Sequence, residues 1–143
     1  MKRFALFLLI VILAYGYVQD QGHTLPWLSS PAGYDSVLLD AFNSRQSNLQ
    51  VQGEGVVVKI LKDDLEGSRH QRFLLELGSG QTLLISHNID LAPRIEGLAR
   101  GDSVQFFGEY EWNSKGGVIH WTHHAPGGRH VAGWIKHRGR VYQ

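Results

Sequence analysis

The stretch RHQRFLLELGSGQTLLISH, residues 69–87, decides the fold. Arg69 to Leu77 and Gln81 to His87 are β-prone runs flanking Gly78-Ser79-Gly80, the composition of a tight hairpin loop. A three-residue loop sets Leu77 opposite Gln81, Leu75 opposite Leu83 and Phe73 opposite Ile85. A two-residue loop would set Phe73 against Ser86 instead. Side chains alternate across a strand, so the register that matches apolar with apolar is expected. It turns Arg72, Leu74, Leu84 and Ser86 to the other face, and brings Gln71 opposite His87 and His70 opposite Asn88.

Strands continue on both sides of this hairpin. Val51 to Leu61 alternates, with Val56, Val58 and Ile60 on one face and Val57, Lys59 and Leu61 on the other. Asp63 to Ser68 is a polar loop without the ligand spacing of a calcium site. Asn88 to Leu98 carries Pro93 and reads as a loop with a short helical turn. Ser103 to Trp112 is a strand, Asn113 to Gly116 a turn, and Gly117 to His124 returns. Pairing Trp112 with Gly117 sets Tyr110 opposite Ile119, Glu109 opposite His120, Gly108 opposite Trp121, Phe106 opposite His123 and Gln105 opposite His124. In that register Gly108 makes room for a core indole at Trp121. Five strands, with a helical connection between the third and fourth, match a small OB-like Greek-key barrel spanning residues 50–143. Gly53 and Gly55 are the expected place for the bulge or bend that closes it.

The expected fold class is therefore mainly β, a five-stranded OB-like barrel with two additions. Tyr34, Val37, Leu38, Ala41 and Phe42 follow the spacing of an amphipathic helix over residues 34–48, capped by Ser30 or Asp35. A short C-terminal hairpin runs from Trp134 to Tyr142 and turns at Arg138-Gly139.

The remaining sequence bounds the class. A chain of 143 residues suits one modest domain. The absence of cysteine excludes disulfides, thiolate metal sites and a thiol nucleophile. Lys2 and Arg3 precede an uncharged apolar run from Phe4 to Val18, about 22 Å of helix against a hydrocarbon core of about 30 Å. Residues 1–18 are thus expected to be a signal peptide, or else an N-terminal membrane anchor, and residues 19–33 a linker. The expected location is periplasmic or secreted, with anchoring to the inner membrane the alternative and any membrane contact made through residues 4–18.

Charge is unevenly placed. Residues 19–111 hold thirteen acids and seven bases, whereas residues 112–143 hold five bases and no acid, together with five of the eight histidines. Either this histidine-rich end meets an anionic partner or it lies against the acidic body of its own domain. Arg72, Trp112, Lys115, Arg129 and His130 form the candidate ligand-binding set, since cations track an anionic backbone and aromatic faces stack on bases or sugars. His120 and His124 on one strand face, with Glu109 opposite His120, form the candidate metal set for zinc or manganese. His123 with His130 is the alternative pair. His120 and His124 would lie about 13 Å apart along a regular strand, so one ion reaches both only if the strand bends. No nucleophile elbow, phosphate loop or His-Glu-x-x-His element is present, and no catalytic residue is assigned.

The segments Gly67-Ser68-Arg69-His70-Gln71-Arg72-Phe73, Ser86 to Arg94, Gly108-Glu109-Tyr110-Glu111-Trp112, Gly116 to His124 and Gly128-Arg129-His130 resemble an uncharacterised bacterial family, domain of unknown function 3465. The resemblance covers about residues 53–143. It implies a small exported or membrane-anchored bacterial protein and carries no activity. The favoured expectation is a non-catalytic binding module for an anionic or sugar-containing polymer, either nucleic acid or envelope glycan. The alternatives are a metal-dependent, phosphodiesterase-like hydrolase using the histidine cluster, and a structural envelope component that binds a protein partner.

Overall fold

The computed structural model describes residues 31–143. The expectations for the leader and most of the linker lie outside them. Helix α1 (Pro31–Asn43) is followed by β1 (Leu49–Ile60), β2 (His70–Leu77), β3 (Thr82–Asn88), β4 (Ser103–Glu111), β5 (Val118–His120), β6 (Trp134–His137) and β7 (Arg140–Tyr142). Among the described residues no helix is long and apolar enough to cross a membrane.

Strands β1 to β5 close into a barrel in the order β1-β2-β3-β5-β4, with β4 returning to β1. Only β3 and β5 run parallel among these pairs, which is the OB-like Greek-key arrangement. The hairpin register holds as expected, from His70↔Asn88 and Gln71↔His87 through Phe73↔Ile85 and Leu75↔Leu83. Phe73, Leu75, Leu83, Ile85, Phe106, Tyr110 and Ile119 fill the interior and are fully buried. Each such side chain stabilises the fold by about 1.5–3 kcal/mol relative to exposure. The link between β3 and β4 is turns and coil, with a single helical turn from Asn88 O to Ala92 N. Buried Gln71 fixes it by exchanging hydrogen bonds with the backbone of Ile95.

Three local expectations are corrected. First, α1 runs over Pro31–Asn43 rather than residues 34–48. It stops because Arg45 turns left-handed (φ 54°), Gln46 N bonds Ala41 O and Arg45 N bonds Phe42 O, a Schellman ending. Asp35 does not cap the helix; its Oδ2 accepts from Ser79 N at 2.9 Å and ties α1 to the β2–β3 loop. Second, the bulge in β1 falls between Val57 and Lys59, not at Gly53 or Gly55. Those glycines leave room for neighbours: a Cβ on Gly53 would lie 2.5 Å from Phe106 Cζ, and one on Gly55 2.7 Å from Glu76 O. Val56 and Ile60 are both substantially exposed.

Third, the last barrel strand is shorter than expected. The pairs Tyr110↔Ile119 and Glu109↔His120 form, but β5 then ends. Trp121 adopts a left-handed conformation (φ 53°), and the chain leaves the sheet. It rejoins the same edge of β4 at Trp134, where Phe107↔Trp134, Phe106↔Ile135 and Gln105↔Lys136 replace the expected partners Thr122, His123 and His124. Residues 121–133 thus form an excursion between two pieces of one interrupted strand. Its neck closes where Gly133 N bonds His123 O at 2.9 Å. A Cβ on Gly133 would meet Trp121 O at 2.0 Å and Phe107 O at 2.4 Å, so this crossing needs glycine. Gly108 accommodates His120 O and the Thr122 methyl rather than an indole. The C-terminal hairpin β6–β7 turns at Arg138 (φ 48°) and Gly139 (φ 79°), both left-handed, as a tight two-residue loop requires.

Candidate functional site

Alternation along β4 places Tyr110 inside the barrel and Glu109 and Glu111 together on its outer face. Cross-strand pairing with β5 brings His120 to the same face. His120 Nε2 lies 3.3 Å from Glu109 Oε1 and 3.8 Å from Glu111 Oε1. It is buried yet makes no hydrogen bond with proper geometry. One ligand atom from each of Glu109, Glu111 and His120 falls within 4.8 Å of the others. Two carboxylates at this separation repel one another, and a cation between them relieves that repulsion.

The excursion folds back over this cluster. His130 Nε2 contacts Glu109 Oε2 at 2.6 Å, and its Nδ1 contacts Val131 O at 2.8 Å. A carbonyl and a carboxylate both only accept, so both ring nitrogens donate and His130 is an imidazolium. Burial opposes that charge, but the bonds to Val131 and Glu109 outweigh it and hold the pKa above the usual histidine range. Burial likewise pushes Glu109 up, while the His130 bond and the charges of His120 and His130 bring it below the usual carboxylate range. The His130 ring stacks on Trp121 at 3.9 Å and 8°. Trp121, expected in the core, is half-buried and is the platform for this histidine.

Beside the cluster lies a cleft of about 200 Å³, whose walls include His70, Ser86, Asn88, His120, Trp121 and His123. The parallel β3–β5 pairing draws these residues together from the start of the hairpin and from the excursion. Behind it, fully buried His87 contacts Thr122 Oγ1 through Nδ1 (2.8 Å) and Pro93 O through Nε2 (3.1 Å). The Pro93 carbonyl requires the proton on Nε2, so the Thr122 hydroxyl donates to Nδ1.

The expected residues therefore separate. Glu109 and His120 come together, joined by Glu111 and covered by His130. His124 does not share their face: the strand ends before it, and its side chain is exposed in the excursion. The polymer-binding set is dispersed. Arg72 donates Nε and Nη2 to Lys62 O at 3.2 and 3.0 Å. Trp112 donates Nε1 to Phe42 O, stacks on the Phe42 ring and lies beneath Arg45, holding α1 to the barrel. Lys115, in the β4–β5 turn, and Arg129, in the excursion, are exposed. The basic tail meets acids of its own domain: His137 and Arg138 contact Asp102, and Arg140 lies 3.6 Å from Glu96. Sequence reasoning missed Glu111, although its spacing of two from Glu109 on a strand was a sufficient signal. It paired His123 with His130 as an alternative; that His123 instead shares a cleft with His70 depends on where β5 ends.

Fold and site together define a class: a small OB-like barrel bearing a mixed histidine–carboxylate cluster on the outer face of its β4–β5 ladder. No curated protein matches the chain. The family model for proteins of unknown function DUF3465 matches residues 22–143, and the chain belongs to that family.

Proposed function

We propose that this domain binds a divalent transition metal, with Glu109, Glu111 and His120 as its ligands. The observation that carries this reading is the buried Nε2 of His120, left without a hydrogen bond between two carboxylate oxygens. Such an imidazole–carboxylate set suits zinc or manganese. His130 supports Glu109 from behind, as partners of metal ligands commonly do. A metal held there would polarise a phosphoryl oxygen or lower the pKa of its water to about 7, so the enzymatic form of this proposal is a phosphodiesterase-like hydrolase. Calorimetric titration of the tag-free full chain with zinc and with manganese tests it. Glu109→Gln and His120→Ala should each weaken this site by at least the roughly 10–100-fold that loss of a supporting partner costs. Unchanged uptake in a Glu109→Gln/Glu111→Gln variant would refute the assignment.

A second reading, a non-catalytic module for an anionic or sugar-containing polymer, draws on Lys115 and Arg129, which are exposed and without an ion-pair partner among the described residues. Replacing both with alanine should lower the salt needed for elution from heparin or single-stranded DNA, because fewer counterions are released on binding. Equal elution of the two proteins would remove this reading.

A further inference from the structure

Two histidines of the cleft beside the Glu109 cluster, His70 and His123, share an orientation. His70 Nδ1 lies 2.7 Å from Ser68 O, and His123 Nδ1 lies 2.6 Å from His124 O. A carbonyl oxygen only accepts, so in each ring Nδ1 carries a proton and Nε2 is the nitrogen left for a ligand. Among the described residues no group hydrogen-bonds to either Nε2. Histidines that ligate metals are oriented in this way, with the distal N–H given to a backbone carbonyl and the other nitrogen left to the ion. No carboxylate lines the cleft, so its donors are nitrogen and neutral oxygen. That chemistry selects a borderline ion such as zinc or copper(II) over magnesium or calcium.

We propose that His70 and His123 hold a second, zinc-type ion in this cleft through their Nε2 atoms, with water completing its coordination. The proposed ligands differ from Glu109, Glu111 and His120, although His120 also lines this cleft, and the variants below separate the two assignments.

The test is metal stoichiometry on the tag-free full chain at pH 7.5, by calorimetry with zinc alone and elemental analysis after gel filtration. Wild type should bind two zinc ions, and Glu109→Gln/Glu111→Gln should retain one. His70→Gln, His123→Gln and their combination should each lose one ion, and His124→Gln should lose none. Zinc should also shift the Nε2 resonances of His70 and His123 in long-range ¹H–¹⁵N spectra, and leave their Nδ1–H signals in place. His123 is buried, so His70→Gln, at a half-buried position, keeps the test decisive if the His123 variant fails to fold. A single ion that vanishes with Glu109→Gln/Glu111→Gln would overturn this proposal and leave the first site standing. Two ions retained in His70→Gln, with an unmoved His70 Nε2 resonance, would overturn it equally.

Discussion

Phe106→Ala is expected to destabilise the domain by about 3–5 kcal/mol, a large part of the roughly 5–15 kcal/mol that a domain of this kind possesses. Phe106 is fully buried at the middle of β4. It pairs with Gly53 of β1 on one edge and with Ile135 of β6 on the other. Its ring occupies the space above Gly53, where even a Cβ would come within 2.5 Å of it. Truncation therefore removes a large apolar surface at a position whose neighbour has no side chain to move in. The cavity cannot collapse without bending β1 where Gly53 pairs with Phe106 itself. Urea unfolding at pH 7.5 measures the effect. Val141→Ala, at a side chain about half exposed, is the control and should stay within about 0.5 kcal/mol of wild type. A loss below about 1 kcal/mol for Phe106→Ala would mean that the barrel interior is not packed as described.

Acidification should weaken the fold through His87. Burial lowers its pKa from 6.5 to about 4, against a smaller opposing contribution from the hydrogen bond to Pro93. Between those values the unfolded chain binds a proton that the native ring refuses, so stability rises with pH across that window. The contribution is complete above about pH 6.5 and is lost progressively as the pH falls towards 4. The separation corresponds to about 3 kcal/mol. Burial displaces His123 in the same direction, and its effect adds. Asp90, Asp102 and Glu109 all have lowered carboxyl pKa values, so their losses come at the acid end of the range or beyond it. Urea midpoints at pH 7.5, 5.5 and 4.5 should therefore fall for wild type. In His87→Gln, less stable at neutral pH, they should fall much less. Parallel pH profiles for the two proteins would show that His87 is not the group responsible.

The sequence was informative wherever a local rule had no competitor. Residues 69–87 admit one register that pairs apolar with apolar, and the hairpin has it. Glu109↔His120 and Tyr110↔Ile119 followed from the four-residue turn Asn113–Gly116 in the same way. Prediction failed beyond His120, where β-prone residues continue but the strand does not. Thr122, His123 and His124 would each suit the edge of β4, and so do Trp134, Ile135 and Lys136. Competition between two segments for one edge leaves no mark in either segment taken alone. The surroundings of the candidate ligand-binding residues were hidden for a related reason. Arg72, Trp112 and His130 read as free cations and aromatics until the fold supplies Lys62 O, Phe42 O and Glu109 as their partners.

Taken by itself, the chain determined its β alternation, its hairpin registers, the OB-like strand order and the meeting of Glu109 with His120. These rest on side-chain period and loop length, which act between neighbours in sequence. Tertiary structure alone decided that Trp121 turns the chain out of the sheet, that His130 returns over Glu109, and that His70 and His123 share a cleft. Those outcomes depend on which distant segment best fills an edge or a cavity, a choice made only when the closed barrel brings the competitors together.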